Sequence, residues 1–328
     1  MGHTGKDNGM ARPSTVREFA GEIKRRLEAL HPEYSVTIEE VLKNNGITLT
    51  GLSIMENESV GNTSAVIYMN EYFELYQSGT DMEELCGDVV DFYRRNSPCP
   101  EFDTKGVMDW EKMKGQICFR LVNAEKNREL LKTLPHRPFL DLAVAYFIPI
   151  HGIDGGCSNA SITVSKNIME MWGVDEDALY ENALRNTPRI QGSHVSSMGD
   201  VVKGLIQKID PGILAEDPEA CATELEDMME ENPIMYIAGN STGMYGSAVL
   251  LNSDLLGQFA AQTGGDFYIL PSSINELIFV PDRDEIEDAT RLSETVRDVN
   301  RTVLSVNDFL SDSVYRYRTA DGRVEIAG

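Results

Sequence analysis

Two segments of the chain, 94 residues apart, follow the same local pattern, and this repetition constrains the fold more than any other feature. Each runs from an alternating strand pattern through an asparagine and a short helix pattern to a glycine, Gly79 or Gly173. A second helix pattern then begins, at Asp81–Leu85 and at Asp175–Leu179, and an Arg-Asn-x-Pro sequence lies near its end. No reaction motif accompanies either copy. The repetition therefore predicts a scaffold of repeated strand and helix units.

Local signals elsewhere extend this prediction. Thr15 and Glu18 form a capping box before an amphipathic helix, Asn45-Gly46 is typical of a hairpin turn, and Thr80 is predicted to cap the helix that follows it. Hydrophobic periodicity predicts strands over 34–42, 47–55, 139–150, 248–251, 267–270 and 276–280, and helices over 123–134, 197–209, 253–263 and 285–299.

These elements predict an α+β fold of repeated strand and helix modules, with mixed, largely antiparallel sheets covered by helices. Eight acidic residues without a basic one occupy 216–231, and this change of composition marks a boundary. The expected organisation is a flexible N-terminus at 1–13, α+β modules at 14–112, 113–196 and 233–328, and a helical acidic connector at 197–232.

Charge excludes one broad class of function. The chain has 53 acidic and 29 basic residues, a formal charge of −24, which disfavours sequence-independent binding to nucleic acid and to anionic membranes. If the acidic run contacts another protein, that partner is expected to be basic. Residues 1–13 are Gly-rich and polar, so a secretory signal of ordinary form is not expected, and no apolar run is long enough to span a membrane. Its five cysteines lack disulfide or zinc spacing, which favours reduced thiols in a cytoplasmic protein.

The best polar cluster is His136, Arg137 and Asp141. If the intervening chain folds back, Asp141 would orient His136 or pair with Arg137, as in a hydrolase-type site. The competing and favoured interpretation is structural, in which an aspartate before a buried strand fixes the preceding loop. No nucleophile or second carboxylate at a telling spacing completes a catalytic set.

Further candidates are weaker. A polar ligand site is possible at four residues between two strands, but the same residue types are typical of a tight turn; they are Ser272, Ser273, Asn275 and Glu276. The glycine-rich sequence 239–246 lacks the lysine of a phosphate-binding loop. His151, Asp154 and Cys157 resemble a loose metal trio, yet a turn explains them equally, so no metal site and no cofactor are predicted.

Several short sequence segments resemble those of a bacterial family of unknown function, the one numbered 5688. They are Leu-Val-Asn-Ala-Glu-Lys-Asn from Leu121, Leu-Pro-His-Arg-Pro-Phe-Leu-Asp-Leu-Ala from Leu134, Met-Trp-Gly-Val-Asp-Glu-Asp from Met171 and Asp-Phe-Tyr-Ile-Leu-Pro-Ser-Ser-Ile-Asn-Glu-Leu from Asp266. The resemblance runs from about Phe19 to Tyr317. It implies a bacterial, cytoplasmic protein and brings no activity with it.

The sequence thus leaves three hypotheses. The first is a non-enzymatic interaction protein with an acidic surface, motivated by repetition, charge and the incomplete catalytic set. The second is a hydrolase-type enzyme using His136, Arg137 and Asp141. The third is a mimic of DNA that inhibits a nucleic-acid enzyme, which requires carboxylates in regular rows. The sequence does not specify substrate, oligomeric state or biological process.

Overall fold

The structure is a computed structural model that describes residues 12–56, 66–96, 106–150, 160–201, 235–282 and 289–327. The chain divides into two compact units. The first contains residues 1–43, 47–105 and 151–157, and the second contains 44–46, 106–150 and 158–328.

In its described residues, the first unit has a three-stranded antiparallel sheet and three helices. Its elements are α1 (Val16–Leu30), β1 (Tyr34–Leu42), β2 (Thr48–Glu56), β3 (Val66–Tyr68), α2 (Asn70–Gln77) and α3 (Met82–Asn96). Thr15 caps α1 by accepting a hydrogen bond from the Glu18 backbone N–H at 3.2 Å, as the capping box predicts. Helix α1 buries Phe19, Ile23 and Leu27 against the core of this unit, because these positions share one helical face.

The cap of α3 differs from the prediction. Asp81, rather than Thr80, accepts a hydrogen bond from the Glu83 backbone N–H at 2.8 Å. Asp175 caps the corresponding helix of the second unit in a similar way, accepting from the Ala178 backbone N–H at 3.0 Å. A carboxylate directly before the first turn satisfies a free N–H group and interacts favourably with the helix dipole.

The described part of the second unit contains two antiparallel sheets. Its first half comprises α4 (Trp110–Met113), β4 (Cys118–Asn123), α5 (Arg128–Leu131), β5 (His136–Phe139), β6 (Leu142–Ile150), β7 (Ala160–Thr163), α6 (Lys166–Trp172) and α7 (Glu176–Gln191). Strand β6 is central: β4 pairs along one edge, and β5 and then β7 pair along the other. Nearly all of β6 is buried, which explains its continuous apolar sequence.

The six-stranded sheet has the order β13-β12-β10-β11-β9-β8. The elements of this half are β8 (His194–Ser197), β9 (Tyr236–Gly239), α8 (Ser253–Thr263), β10 (Phe267–Leu270), β11 (Leu277–Pro281), α9 (Ala289–Thr302), β12 (Tyr315–Arg318) and β13 (Arg323–Ile326). All strand pairs among the described residues are antiparallel, and helices pack against the sheets, so the protein has the predicted α+β fold. Strand β8, from the expected module 113–196, shares this sheet with strands of the expected module 233–328, and the three-module division stays a prediction.

Three predicted elements differ from the structure. The strand predicted over 139–150 is a hairpin, because Leu140 adopts a left-handed conformation with φ of 54° and reverses the chain between β5 and β6. The strand predicted over 248–251 lies in a 3-10 helix, Gly246–Leu251, which follows Tyr245 at φ of 56°. The helix predicted over 123–134 is reduced to Arg128–Leu131, because the Asn123 side chain accepts from the Lys126 backbone N–H in a turn.

Candidate functional site

The first unit carries a groove of about 620 Å³ between α1 and α3. This volume lies within the range of roughly 300–1,000 Å³ that is usual for ligand sites. All of its lining residues belong to α1, to α3 or to His31, which directly follows α1. The sequence did not predict this site, because the site depends on how α1 and α3, which are far apart in the sequence, pack against each other.

The floor of the groove is apolar and buried. Leu27 is fully buried, and Cys86 and Val90 are 4% and 6% exposed. Burial raises the pKa of the Cys86 thiol to about 11, so the thiol is neutral at physiological pH. At one side, Leu30 leaves 70% of its surface in solvent, although it lies directly beside this apolar floor. The groove therefore offers an apolar surface to a ligand.

The rim carries three arginines against two carboxylates, Glu83 and Asp91. Arg25 and Arg26 share one acceptor, Glu22, at N···O distances of 2.6 and 2.7 Å. The Arg25 hydrogen bond is the main reason that the pKa of Glu22 lies below its usual value. These two arginines are thus only partly neutralised, because one carboxylate serves both.

Arg94 is the least engaged cation of the rim. Among the described residues it makes no ion pair within 4.0 Å and no side-chain hydrogen bond. Its interaction is a longer-range one with Glu33, whose pKa is lowered chiefly by a hydrogen bond from its own backbone N–H and to a smaller degree by His31 and Arg94. Arg94 is exposed and therefore available to an incoming anion.

The three sequence candidates in the second unit do not converge. Asp141 accepts hydrogen bonds from the hydroxyls of Ser311 and Tyr315, at 2.5 and 2.7 Å, and from Ser313 at 3.0 Å. Among the described residues, no hydrogen bond or ion pair joins its side chain to His136 or Arg137. His136 Nδ1 lies 3.0 Å from the Leu134 carbonyl oxygen. Asp141 thus fixes the C-terminal segment of the second unit.

Arg137 instead attaches the start of α7 to the sheet. Its guanidinium donates to Glu176 at 2.8 Å, also pairs with Asp177, and stacks on the Tyr180 ring at 4.0 Å. The buried Tyr146 hydroxyl donates to the same Glu176 carboxylate, and burial is the first cause that raises the pKa of Tyr146 above its usual value. Neither arrangement that the enzyme hypothesis offered, Asp141 orienting His136 or pairing with Arg137, is present among these residues, and hydrolase activity stays a hypothesis.

The residues 272–276 form a turn between β10 and β11. The Ser273 hydroxyl oxygen accepts from the backbone N–H groups of Asn275 and Glu276, at 3.0 and 3.2 Å. Ser272 donates weakly to Glu276 at 3.5 Å, and Asn275 accepts from the Tyr245 backbone N–H. Their polar groups therefore largely satisfy one another and the neighbouring loop, while a ligand role stays a hypothesis.

The glycine-rich loop beside this turn is likewise internally bonded. The Asn240 oxygen accepts from the Thr242 hydroxyl and the Gly243 backbone N–H, and its amide donates to the Met244 carbonyl. A cavity of about 10 Å³ next to Asn240 has room for roughly one water molecule and not for a larger ligand.

Other sequence predictions fall partly outside the described part of the chain. His151, Asp154 and Cys157 lie there, as do the acidic run 216–231 and nearly all of the N-terminal segment 1–13. Within the described ranges, no group of three His, Cys, Asp or Glu residues is placed to hold a metal ion. Cys86 and Cys118 are buried free thiols. No helix among the residues placed by the structure has the length and apolarity to cross a membrane.

Comparison with known proteins identifies the family without supplying an activity. The match covers residues 16–319 and carries the description "Family of unknown function (DUF5688)". Neither the curated proteins nor the solved structures contain a match to the chain. Because the matched region includes nearly all of the sequence, the chain belongs to the DUF5688 family of unknown function.

Proposed function

We propose that this protein acts by binding, and that its groove between α1 and α3 holds an anionic ligand with an apolar part. The observation that carries the proposal is the groove itself, with a volume of about 620 Å³, a buried apolar floor and an arginine-rich rim. Ligand sites commonly combine an apolar lining with a few charged groups that orient the ligand. Binding agrees with the interaction hypothesis that the sequence favours.

An anion is the expected ligand because of how charge is distributed. The whole chain carries −24, yet arginines outnumber carboxylates along this groove. Net negative charge repels anions at a distance, so binding must come from local contacts with guanidinium groups. Arginine suits that role, because its planar fork can hold a carboxylate or phosphate through two hydrogen bonds.

The apolar part of the ligand follows from the floor. Leu27, Cys86 and Val90 make the floor apolar but expose little surface, so among these four residues Leu30, which is 70% exposed, supplies most of the apolar surface that a ligand could cover. Covering this surface releases water at about 25 cal/mol per Å² of apolar area. A small hydrated anion would leave that surface wet, so an amphipathic ligand fits better.

Binding of the fluorescent anionic amphiphile anilinonaphthalene sulfonate tests the site. Titration of the full chain should saturate, and Arg94→Glu should weaken binding by about fivefold, the upper range for an exposed ion pair. The matched control is Arg95→Glu, which changes the net charge equally. Arg95 is the next residue of α3 but does not line the groove, and its guanidinium donates to the Asp91 backbone carbonyl.

A second measurement locates the bound probe. Alkylation of Cys86, resolved by mass spectrometry, should slow when the probe is bound, because Cys86 lies in the groove floor. The proposal fails if Arg94→Glu and Arg95→Glu have equal effects and the probe leaves the alkylation rate of Cys86 unchanged.

A further inference from the structure

Gly87 points to the class of ligand. It lies in the middle of α3 and lines the groove, and a Cβ atom added there would have no heavy atom within 4 Å. Glycine in an exposed helix interior destabilises the helix relative to alanine, and packing within the chain does not require it here. The missing side chain leaves the α3 backbone accessible from the groove.

We propose that the occupant of the groove is an acidic, amphipathic helix of a partner protein, lying along α1 and α3 with its closest approach at Gly87. This inference rests on the proposed function and specifies its ligand. Small residues allow two helical backbones to approach closely, and the lining of the groove also includes Cys86 on α3 and Ala29 on α1. Recognition would follow the helix-in-groove mode, with apolar residues inward at positions i, i+3, i+4 and i+7.

The dimensions of the groove fit a helix. Its lining on α3 extends from Glu83 to Arg94, which at 1.5 Å per residue is roughly 16 Å or three helical turns. A partner helix of three turns would place about four apolar side chains over the floor formed by Leu27, Cys86 and Val90. Leu30, exposed beside this floor, would be covered by the same helix.

The charges fit an acidic helix. Arg25 and Arg26 lie towards the middle of α1, and Arg94 and His31 lie where α1 and α3 end. Cations are therefore present at both ends of the three-turn lining, where three arginines outnumber Glu83 and Asp91, and Arg94 makes no ion pair within 4.0 Å with a described residue. Glutamate or aspartate on both flanks of the partner's apolar face would meet them, whereas lysine would face Arg94 and the shared Arg25–Arg26 pair.

Two labelled synthetic peptides of about fifteen residues test this inference on the full chain by fluorescence anisotropy. Both carry leucines at i, i+3, i+4 and i+7, and the flanking positions are glutamate in one and lysine in the other. The glutamate peptide should bind at least about tenfold more tightly, since several like-charge contacts oppose the lysine peptide. Circular dichroism should show that the bound glutamate peptide is helical.

Variants at glycine decide where the peptide binds. Gly87→Trp should weaken the glutamate peptide by at least about tenfold by filling the groove, whereas Gly21→Trp should leave it unchanged. Gly21 is the matched control, because it also lies inside a helix with no heavy atom within 4 Å of an added Cβ but does not line the groove. If Gly87→Trp does not fold, Gly87→Leu and Arg94→Glu provide the same comparison.

The following results would overturn the inference. Equal affinity for both peptides would show that charge does not select the partner. If the affinity of the glutamate peptide is the same in Gly87→Trp, Gly87→Leu and Arg94→Glu as in the original protein, the peptide does not bind in this groove. Self-association of the free protein that Gly87→Trp abolishes would make the occupant a second copy of the chain. If neither peptide binds but anilinonaphthalene sulfonate still does so in an Arg94-dependent way, the ligand is a small amphiphile and the proposed function survives without the helix. If that probe fails as well, both proposals fall.

Discussion

Removing the Tyr315 hydroxyl tests whether Asp141 serves the fold. Tyr315 is fully buried, and its hydroxyl donates to Asp141 at 2.7 Å. Tyr315→Phe deletes that donor and keeps the ring in the core, so it creates no cavity. A hydrogen bond to a charged group contributes about 1.5–3 kcal/mol, and we expect the free energy of unfolding to fall by about this amount.

Removing the acceptor should lower the free energy of unfolding more than removing one donor does. Asp141→Ala removes the common acceptor of Tyr315 and Ser311, both of which are buried. Each buried hydroxyl left without a partner costs about 1–3 kcal/mol, which gives about 2–6 kcal/mol for the two. The double variant Asp141→Ala/Tyr315→Phe has no tyrosine hydroxyl to leave without an acceptor. The coupling energy between the two substitutions, measured in a double-mutant cycle, should therefore be about 1.5–3 kcal/mol.

Urea denaturation followed by tryptophan fluorescence measures these differences. Both tryptophans, Trp110 and Trp172, lie in the second unit, so their signal reports on the unit that contains Asp141. Tyr317→Phe is the control, because Tyr317 lies two residues along the same strand and its hydroxyl has no hydrogen bond to a described residue. It should change the unfolding free energy by less than about 0.5 kcal/mol.

A coupling energy near zero would refute this reasoning. It would mean that the hydrogen bond between the Tyr315 hydroxyl and the Asp141 carboxylate does not stabilise the fold, and that Asp141 has a role other than stability. Unchanged stability of Asp141→Ala would lead to the same conclusion and would make the hydrolase hypothesis worth testing first.

Three further predictions concern backbone, thiol and acid stability. Gly87→Ala should stabilise the first unit by about 0.5–1 kcal/mol in thermal unfolding, whereas Gly79→Ala should destabilise it, because Gly79 has φ of 106°; a gain in both variants would contradict this. Cys86 should be alkylated at pH 8 much more slowly in the native protein than after denaturation, because burial raises its pKa to about 11, and equal rates would disprove its burial. The pKa of Asp266 lies below its ordinary 3.8 because the Thr319 hydroxyl and backbone N–H donate to it. Ionised Asp266 therefore contributes its full stabilisation above pH 3.8, and this stabilisation is lost as the pH falls through the lower pKa of the folded state. Asp266→Asn should flatten the acidic limb of a plot of unfolding free energy against pH. An unchanged slope would contradict this prediction.

Sequence reasoning succeeded where local signals define an element. Helix α8 spans Ser253–Thr263 as predicted, because Asn252 accepts from the Leu255 backbone N–H and Gly264 closes the helix at φ of 91°. Strands β1 and β10 also have the predicted bounds, 34–42 and 267–270. Caps, turn glycines and alternation act within a few residues, so one sequence is enough to recognise them.

It failed where the outcome depends on distant partners. The Asp141 carboxylate is separated from its serine and tyrosine donors by 170 residues or more, and no spacing rule connects them. Arg137 pairs with Glu176 rather than with the nearby Asp141, because β5 and β6 lie against the start of α7. The groove was not predicted either, although Gly87 inside a predicted helix was a visible signal.

The attachment of Asp141 to Ser311 and Tyr315 has a consequence for biosynthesis. A ribosome makes the hairpin of β5 and β6 long before it makes β12, so the aspartate leaves the exit tunnel without its hydroxyl donors. The second unit therefore cannot complete its fold in the order in which its residues are synthesised. Until β12 has been made, the edge of β10 that pairs with β12 stays unpaired. Chaperone protection during translation is consequently expected to matter more for this unit than for the first, whose described elements are all complete by Asn96.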